Sequence, residues 1–347
     1  MSADELDEFR DSLRALLTKH AGSAALRESM TTELGYDPKL WTMLCEQIGV
    51  AGLAVPEKWG GAGATLTEAL LVVGELGRVL SGVPMLGSAV LATQALQLSG
   101  DDDACERLLP DLASGERTAA LCWAGAKGWD ETPIRVDNEL LTGTAHYVLH
   151  GTQADVLLAL TNDGLYEVDP EAPGVTRTPT PALDPTRQLA TITFTDTPAR
   201  RIATADLTGL RQRLREIAWT ALAAEQVAAA RYCLDQTVEY TSTRVQFGRP
   251  IGGFQALKHR MADMYVLVES ADSAAQLATN SLASEADSST EDAWVARKHC
   301  TAAFEAVAAE MIQLHGGIAI TWEHDAHLYF KRAHATSHLF GQSPRPT

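Results

Sequence analysis

RVQFGRPIGGFQALKHRMADM, residues 244–264, is the stretch that decides how this chain is read. It closes one long run of helical periodicity and leads into the next. Its residues suit a dinucleotide. Arg244 can make charge-assisted hydrogen bonds to a pyrophosphate, Gly248 permits close backbone approach, and the start of the following helix favours an anion.

Outward from this turn, helical periodicity holds from about Ala205 almost to the end, and Phe304, Val307, Met311 and Leu314 form one apolar stripe. Upstream the period changes to two. In Ala190-Thr-Ile-Thr-Phe-Thr195, apolar residues alternate with threonines. The segments 119–123, 146–149, 156–160 and 165–168 are likewise short and β-rich, with 170–185 as the loosest loop. The first third reads as helices over 4–20, 38–48, 66–79 and roughly 87–98, with Thr65 placed to cap the third. The expected fold class is α+β, divided into an N-terminal helical domain (1–117), a middle β-barrel or sandwich domain (118–204) and a C-terminal four-helix bundle (205–347).

Composition narrows the function. With 28 basic and 45 acidic residues the net charge is −17, which disfavours binding to nucleic acid. Five cysteines without a C-x-x-C pair argue against a disulfide framework and a zinc ribbon, and suit a reducing, cytoplasmic setting. The acidic N-terminal stretch lacks the apolar region of a signal peptide, and the one long uncharged stretch, 79–100, is broken by Pro84 and polar residues. No membrane association is expected.

A second motif stands near the end: QLHGGIAITWEHDAHLYFKRA, residues 313–333. Together with Arg244-x-x-Phe247-Gly248, the eight-residue step from Phe247 to Gln255, and the early Pro56-Glu-x-x-Gly-Gly61 turn, it resembles the acyl-CoA dehydrogenase family over nearly the whole chain. The resemblance implies FAD lying across a subunit interface, touched by Arg244, Gln246, Phe247, Ile251 and Gln255, with Gln313, Gly316 and Gly317 at its ADP portion. It also implies an acyl-CoA substrate, an electron-transfer acceptor, and a homo- or hetero-tetramer with another subunit of the family.

Other positions depart from that pattern. Dehydrogenation needs a carboxylate to take the α proton. Many family members place it just before a Gly about 24 residues after the Gly-Gly, where this chain has Phe340. Others place it on the helix upstream, 29 residues before the Phe, where this chain has Ala218. The nearest carboxylates are Glu216, about 200° round the helix from Ala218, and Glu225, two turns on and on roughly the same face. Glu225 is the one candidate base in the chain, and the competing reading makes it a buried, hydrogen-bonded core residue. The family's Trp-Ile-Thr, whose Thr touches the flavin, is here Tyr147-Val148-Leu149, and its Thr-Glu-Pro-x-x-Gly-Ser stretch is replaced by residues 123–128.

The half of the site that reaches across an interface is therefore kept, and the half that cradles flavin and base is blurred. That asymmetry resembles a subunit of the heteromeric acyl-CoA dehydrogenases of bacterial steroid side-chain breakdown. Three functions follow: α,β-dehydrogenation with the base supplied elsewhere, a silent subunit that completes a partner's FAD site, and a related fold turned to another flavin chemistry. The histidines His324, His327, His334 and His338, with Glu323 and Asp325, include an i,i+4 pair, but no metal is expected because the family motif already accounts for the segment.

Overall fold

The computed structural model describes residues 2–341. Six helices open the chain: α1 (Ala3–His20), α2 (Ser23–Ser29), α3 (Pro38–Met43), α4 (Leu66–Arg78), α5 (Thr93–Ser99) and α6 (Asp102–Ser114). Thr65 caps α4 as expected, and its capping box is closed by Glu68. Two helices expected to be regular carry π-helical turns, Leu44–Ile48 after α3 and Met85–Ala92 before α5. Short α2 and amphipathic α6 were not anticipated.

The middle segment forms two four-stranded sheets. One has the order β1-β4-β5-β8 (Ala119–Cys122, Val156–Leu160, Leu165–Val168, Arg200–Ile202); the other is β2-β3-β7-β6 (Ile134–Asp137, Leu140–Leu149, Leu189–Pro198, Val175–Pro179). The unbroken apolar runs of β1 and β4 arise because both faces are covered. Leu157 and Ala159 point into the core between the sheets, while Val156, Leu158 and Leu160 join the core of the N-terminal helices. The stretch 170–185, expected to be loose, is corrected by the structure: β6 lies within it, paired to β7, and Asp184 is fully buried.

Three long helices follow, α7 (Leu207–Thr243), α8 (Gln255–Ala283) and α9 (Ser289–His315), joined by the shorter α10 (Ala326–Thr336). Phe304, Val307 and Met311 are fully buried and Leu314 nearly so, which accounts for the stripe. Helix α4 crosses α7 so closely that a Cβ on Gly77 would lie 2.5 Å from Glu225 Cγ. A small hairpin, β9 (Val245–Gln246) and β10 (Arg249–Pro250), links α7 to α8. Among the described residues no helix is long and apolar enough to cross a membrane.

Candidate functional site

The 244–255 motif sits on the β9–β10 hairpin. Gln246 pairs with Arg249, which leaves Phe247 and Gly248 as a two-residue turn, both at positive φ (55° and 79°). Such primed turns match the strand twist, but a Phe in the left-handed region is strained by about 1–3 kcal/mol. Its ring is 92% exposed. Arg244, Gln246 and Gln255 are exposed and Ile251 is half-buried. The Arg244 side chain has no hydrogen-bond or ion-pair partner among the described residues. Helix α8 begins at Gln255 without a side-chain cap, so its first N–H groups remain available to an anion.

The second motif is brought to the same end of the bundle. Helix α9 ends at His315, whose ring stacks on Tyr240 of α7 with centroids 4.3 Å apart. Gln313, Gly316 and Gly317 lie exposed beyond it. A Cβ on Gly316 or Gly317 would meet nothing within 4 Å, so packing inside this chain does not account for the second glycine. Ile320 and Trp322 continue the surface, 73% and 63% exposed.

Ala218 and Phe340, the two positions at which the resemblance led us to expect a carboxylate, also converge, at a different place. Trp219, next to Ala218, donates its indole N–H to the Phe340 carbonyl at 3.1 Å. The Phe340 ring packs against Trp123 (centroids 5.9 Å) and Trp129 (5.7 Å), and Trp129 stacks on Tyr147 at 5.3 Å. Ala218 and Phe340 are both buried. Tyr147 stands at a bulge in β3 with φ 56°, and its hydroxyl donates to the Ala126 carbonyl at 3.2 Å. Leu149 turns into the N-terminal core. Aromatic rings thus fill the space beside Phe340.

Glu225 lies elsewhere, sealed between domains. Its carboxylate accepts from Arg187 at 2.5 Å and from Arg332 at 3.2 Å, while Arg332 also meets Asp184 at 2.5 Å. Burial alone would raise its pKa, but the two guanidinium groups outweigh that and hold it below the usual carboxylate range. A carboxylate held this way is a weak proton acceptor. A cavity of about 30 Å³ adjoins it, lined also by His150 and Thr186 and too small for an acyl group. Glu216 is spoken for by Arg213 (3.0 Å) and the hydroxyls of Ser289 and Thr290. The partners Asp184, Arg187 and Arg332 gave no signal in the sequence, since they lie far from Glu225 along the chain.

The C-terminal histidines are dispersed. His324 faces His315, His327 meets the edge of Trp322, His334 approaches Glu305 at 3.5 Å and His338 is exposed. Among the described residues no group of three or more His, Cys, Asp or Glu gathers as a metal site would require.

Comparison with known proteins fits this arrangement. The family model described as acyl-CoA dehydrogenase, N-terminal domain, matches residues 3–116, and that for the acyl-CoA dehydrogenase C-terminal domain matches residues 211–344. Acyl-CoA dehydrogenase IpdE2 of Mycolicibacterium smegmatis is 41% identical over 339 residues, 98% of this chain and 95% of that protein. The chain belongs to the acyl-CoA dehydrogenase family. Among solved structures, the Tcur3481-Tcur3483 steroid ACAD G363A variant shares the fold with a TM-score of 0.88 and 30% identity, covering 97% of this chain and 94% of that one. The ChsE4-ChsE5 complex from Mycobacterium tuberculosis gives 0.89 and 27%, covering 99% and 95%. This acyl-CoA dehydrogenase family oxidoreductase has the helix–β–helix architecture of its relatives, with the motif residues facing outward at one end of α7 and an aromatic-filled pocket near the other.

Proposed function

We propose that the chain acts as the cofactor-completing subunit of an oligomeric acyl-CoA dehydrogenase, presenting Arg244, Gln246, Phe247, Ile251, Gln255, Gln313, Gly316 and Gly317 to FAD seated mainly in a neighbouring subunit. The observation that carries this reading is a separation. Trp219 and Arg244 are 25 residues apart on or at the end of one helix, about 38 Å at the rise of an α-helix. The outward-facing motif residues and the 218/340 region therefore serve different ligands.

Family members bind FAD, and the residues here fit such a group at the outward end: an unpaired Arg244, an uncapped helix start and an open glycine pair. Bound there, FAD would supply the hydride acceptor for dehydrogenation. This chain's residues would hold and orient it. Arg244 offers a charge-assisted hydrogen bond to phosphate oxygen, and the Phe247 ring excludes water from one side. The proton-abstracting carboxylate comes from the partner, because Phe340 and Ala218 cannot take a proton and Glu225 is neutralised by two arginines. The substrate is an acyl-CoA thioester, and the IpdE2 and steroid-enzyme likenesses favour a thioester from steroid breakdown. Electrons leave to an electron-transfer acceptor.

The test is co-expression with adjacent gene products. The chain alone should purify without stoichiometric flavin and fail to reduce dye with saturated acyl-CoA, by ~10²- to 10⁴-fold. The complex should be yellow and active. A chain that is yellow and active alone would overturn the proposal.

A further inference from the structure

Where the three domains meet, the cavity of about 30 Å³ beside Glu225 has a mixed wall. Val73, Leu76 and Leu149 give it apolar surface, while Ser81, His150, Thr186 and Arg187 bring polar atoms to it. A purely apolar cavity stays dry. One with polar groups takes up water once it exceeds about 10–15 Å³ and offers two to four hydrogen-bond partners.

Two of these polar groups are buried without a partner among the described residues, and they are complementary. His150 is 8% exposed, and its Nε2–H donates to the Gly82 carbonyl at 2.7 Å, which leaves Nδ1 as a lone pair with nothing to accept from. Burial pushes the pKa of this ring down to about 4, so at neutral pH Nδ1 remains an acceptor. Arg187 gives its Nη2 to Glu225 at 2.5 Å, while its Nε–H has no acceptor. Thr186 does not serve either of them: its hydroxyl donates to Asp184 at 2.5 Å and accepts from Arg332 at 2.5 Å. A buried donor and a buried acceptor on one cavity wall are what a single water satisfies, since it accepts at oxygen and donates from hydrogen.

We propose that this cavity binds one structural water, which accepts from Arg187 Nε–H, donates to His150 Nδ1 and takes the Ser81 hydroxyl as its third partner. Hydrogen bonds then run unbroken from the Gly82 carbonyl in the N-terminal domain through His150, the water and Arg187 to Glu225 of α7 and Arg332 of α10. One hydration site thus ties the three domains together. Bonds in such a chain polarise one another in a low-dielectric interior, so the junction holds or loosens as a unit. The inference does not depend on which subunit holds the flavin.

The test is a crystal structure of the full chain at a resolution that shows ordered water, joined to ¹⁵N NMR of the chain labelled at histidine. A density peak within hydrogen-bond distance of both Arg187 Nε and His150 Nδ1 is expected. In solution, His150 should be the Nε2–H tautomer, with its Nδ1 resonance shifted from that of a free lone pair towards that of a hydrogen-bonded one and with an Overhauser effect from bound water onto the ring. His150→Phe keeps the ring edge near Tyr36 and removes the acceptor, so its peak should be lost. If that variant does not fold, the wild-type measurements decide. A cavity without density, a direct Arg187–His150 bond, the shift of a free Nδ1, or a peak that persists in His150→Phe would each overturn the proposal.

Discussion

Tyr240 and His315 hold the two ends of the motif surface together: their rings stack 4.3 Å apart and 21° from parallel, and the Tyr240 hydroxyl donates to the His315 carbonyl at 3.3 Å. Arg244 follows one of them by four residues and Gly316 follows the other directly. Arg244 and Gly316, 72 residues apart in sequence, thereby come to share one surface.

That surface makes Arg244 the first residue to change. Arg244→Ala should lose a charge-assisted contact worth roughly 1.5–3 kcal/mol, or about 10- to 150-fold in FAD affinity of the assembly. Equilibrium dialysis of the mutant complex measures it, and unchanged retention of flavin would make Arg244 a mere surface residue.

Glu225 should matter for stability and not for turnover. Glu225→Gln leaves Arg187 and Arg332 buried beside a neutral group, and breaking such a pair costs about 3–5 kcal/mol. Denaturant unfolding should show the loss, while activity per folded complex stays near wild type. Abolished turnover with flavin still bound and stability intact would instead identify Glu225 as the base.

His150 predicts an acid-sensitive fold. Its Nε2–H donates to the Gly82 carbonyl at 2.7 Å and burial pushes its pKa from 6.5 to about 4. Between these values the unfolded chain binds the proton and the folded chain does not, so stability is complete above pH 6.5 and declines as pH falls towards 4. At 1.36 kcal/mol per unit the decline is roughly 3 kcal/mol. Unfolding curves of His150→Gln should be flatter than wild type over this range; identical slopes would refute the assignment.

Phe340 should behave as a packing residue. Phe340→Ala empties a site walled by Trp123 and Trp129 and should cost about 3–5 kcal/mol in unfolding free energy. Calorimetry of the full complex tests this, and a loss below ~1 kcal/mol would mean that the pocket is loosely filled and open to a ligand.

Much of the fold could be read because its signals are local. The strands over 156–160 and 165–168 were expected at the bounds observed, since short apolar runs flanked by Asp, Asn and Gly are strand-like without reference to the rest of the chain. Strand β6, ValThrArgThrPro, was hidden: its burial pattern is half-exposed and it sits among prolines, and only pairing with β7 makes it a strand. The π-helical turns were hidden for a similar reason, because a widened turn keeps nearly the same apolar spacing as an α-helix.

The sequence by itself determined the family and the helix–β–helix order, because those rest on periodicity and on spacing within short motifs. It could show that Phe340 and Ala218 are not acids, but not what surrounds them. Tertiary structure alone decided that Trp219 bonds to Phe340, 121 residues away, and that Arg332 bonds to Glu225, 107 residues away. The physical reason is that a carboxylate's proton affinity is set by burial and by the charges within a few ångströms, and these charges come from distant parts of the chain. Glu225 on a helical wheel is a candidate base; between Arg187 and Arg332 it is an anchor.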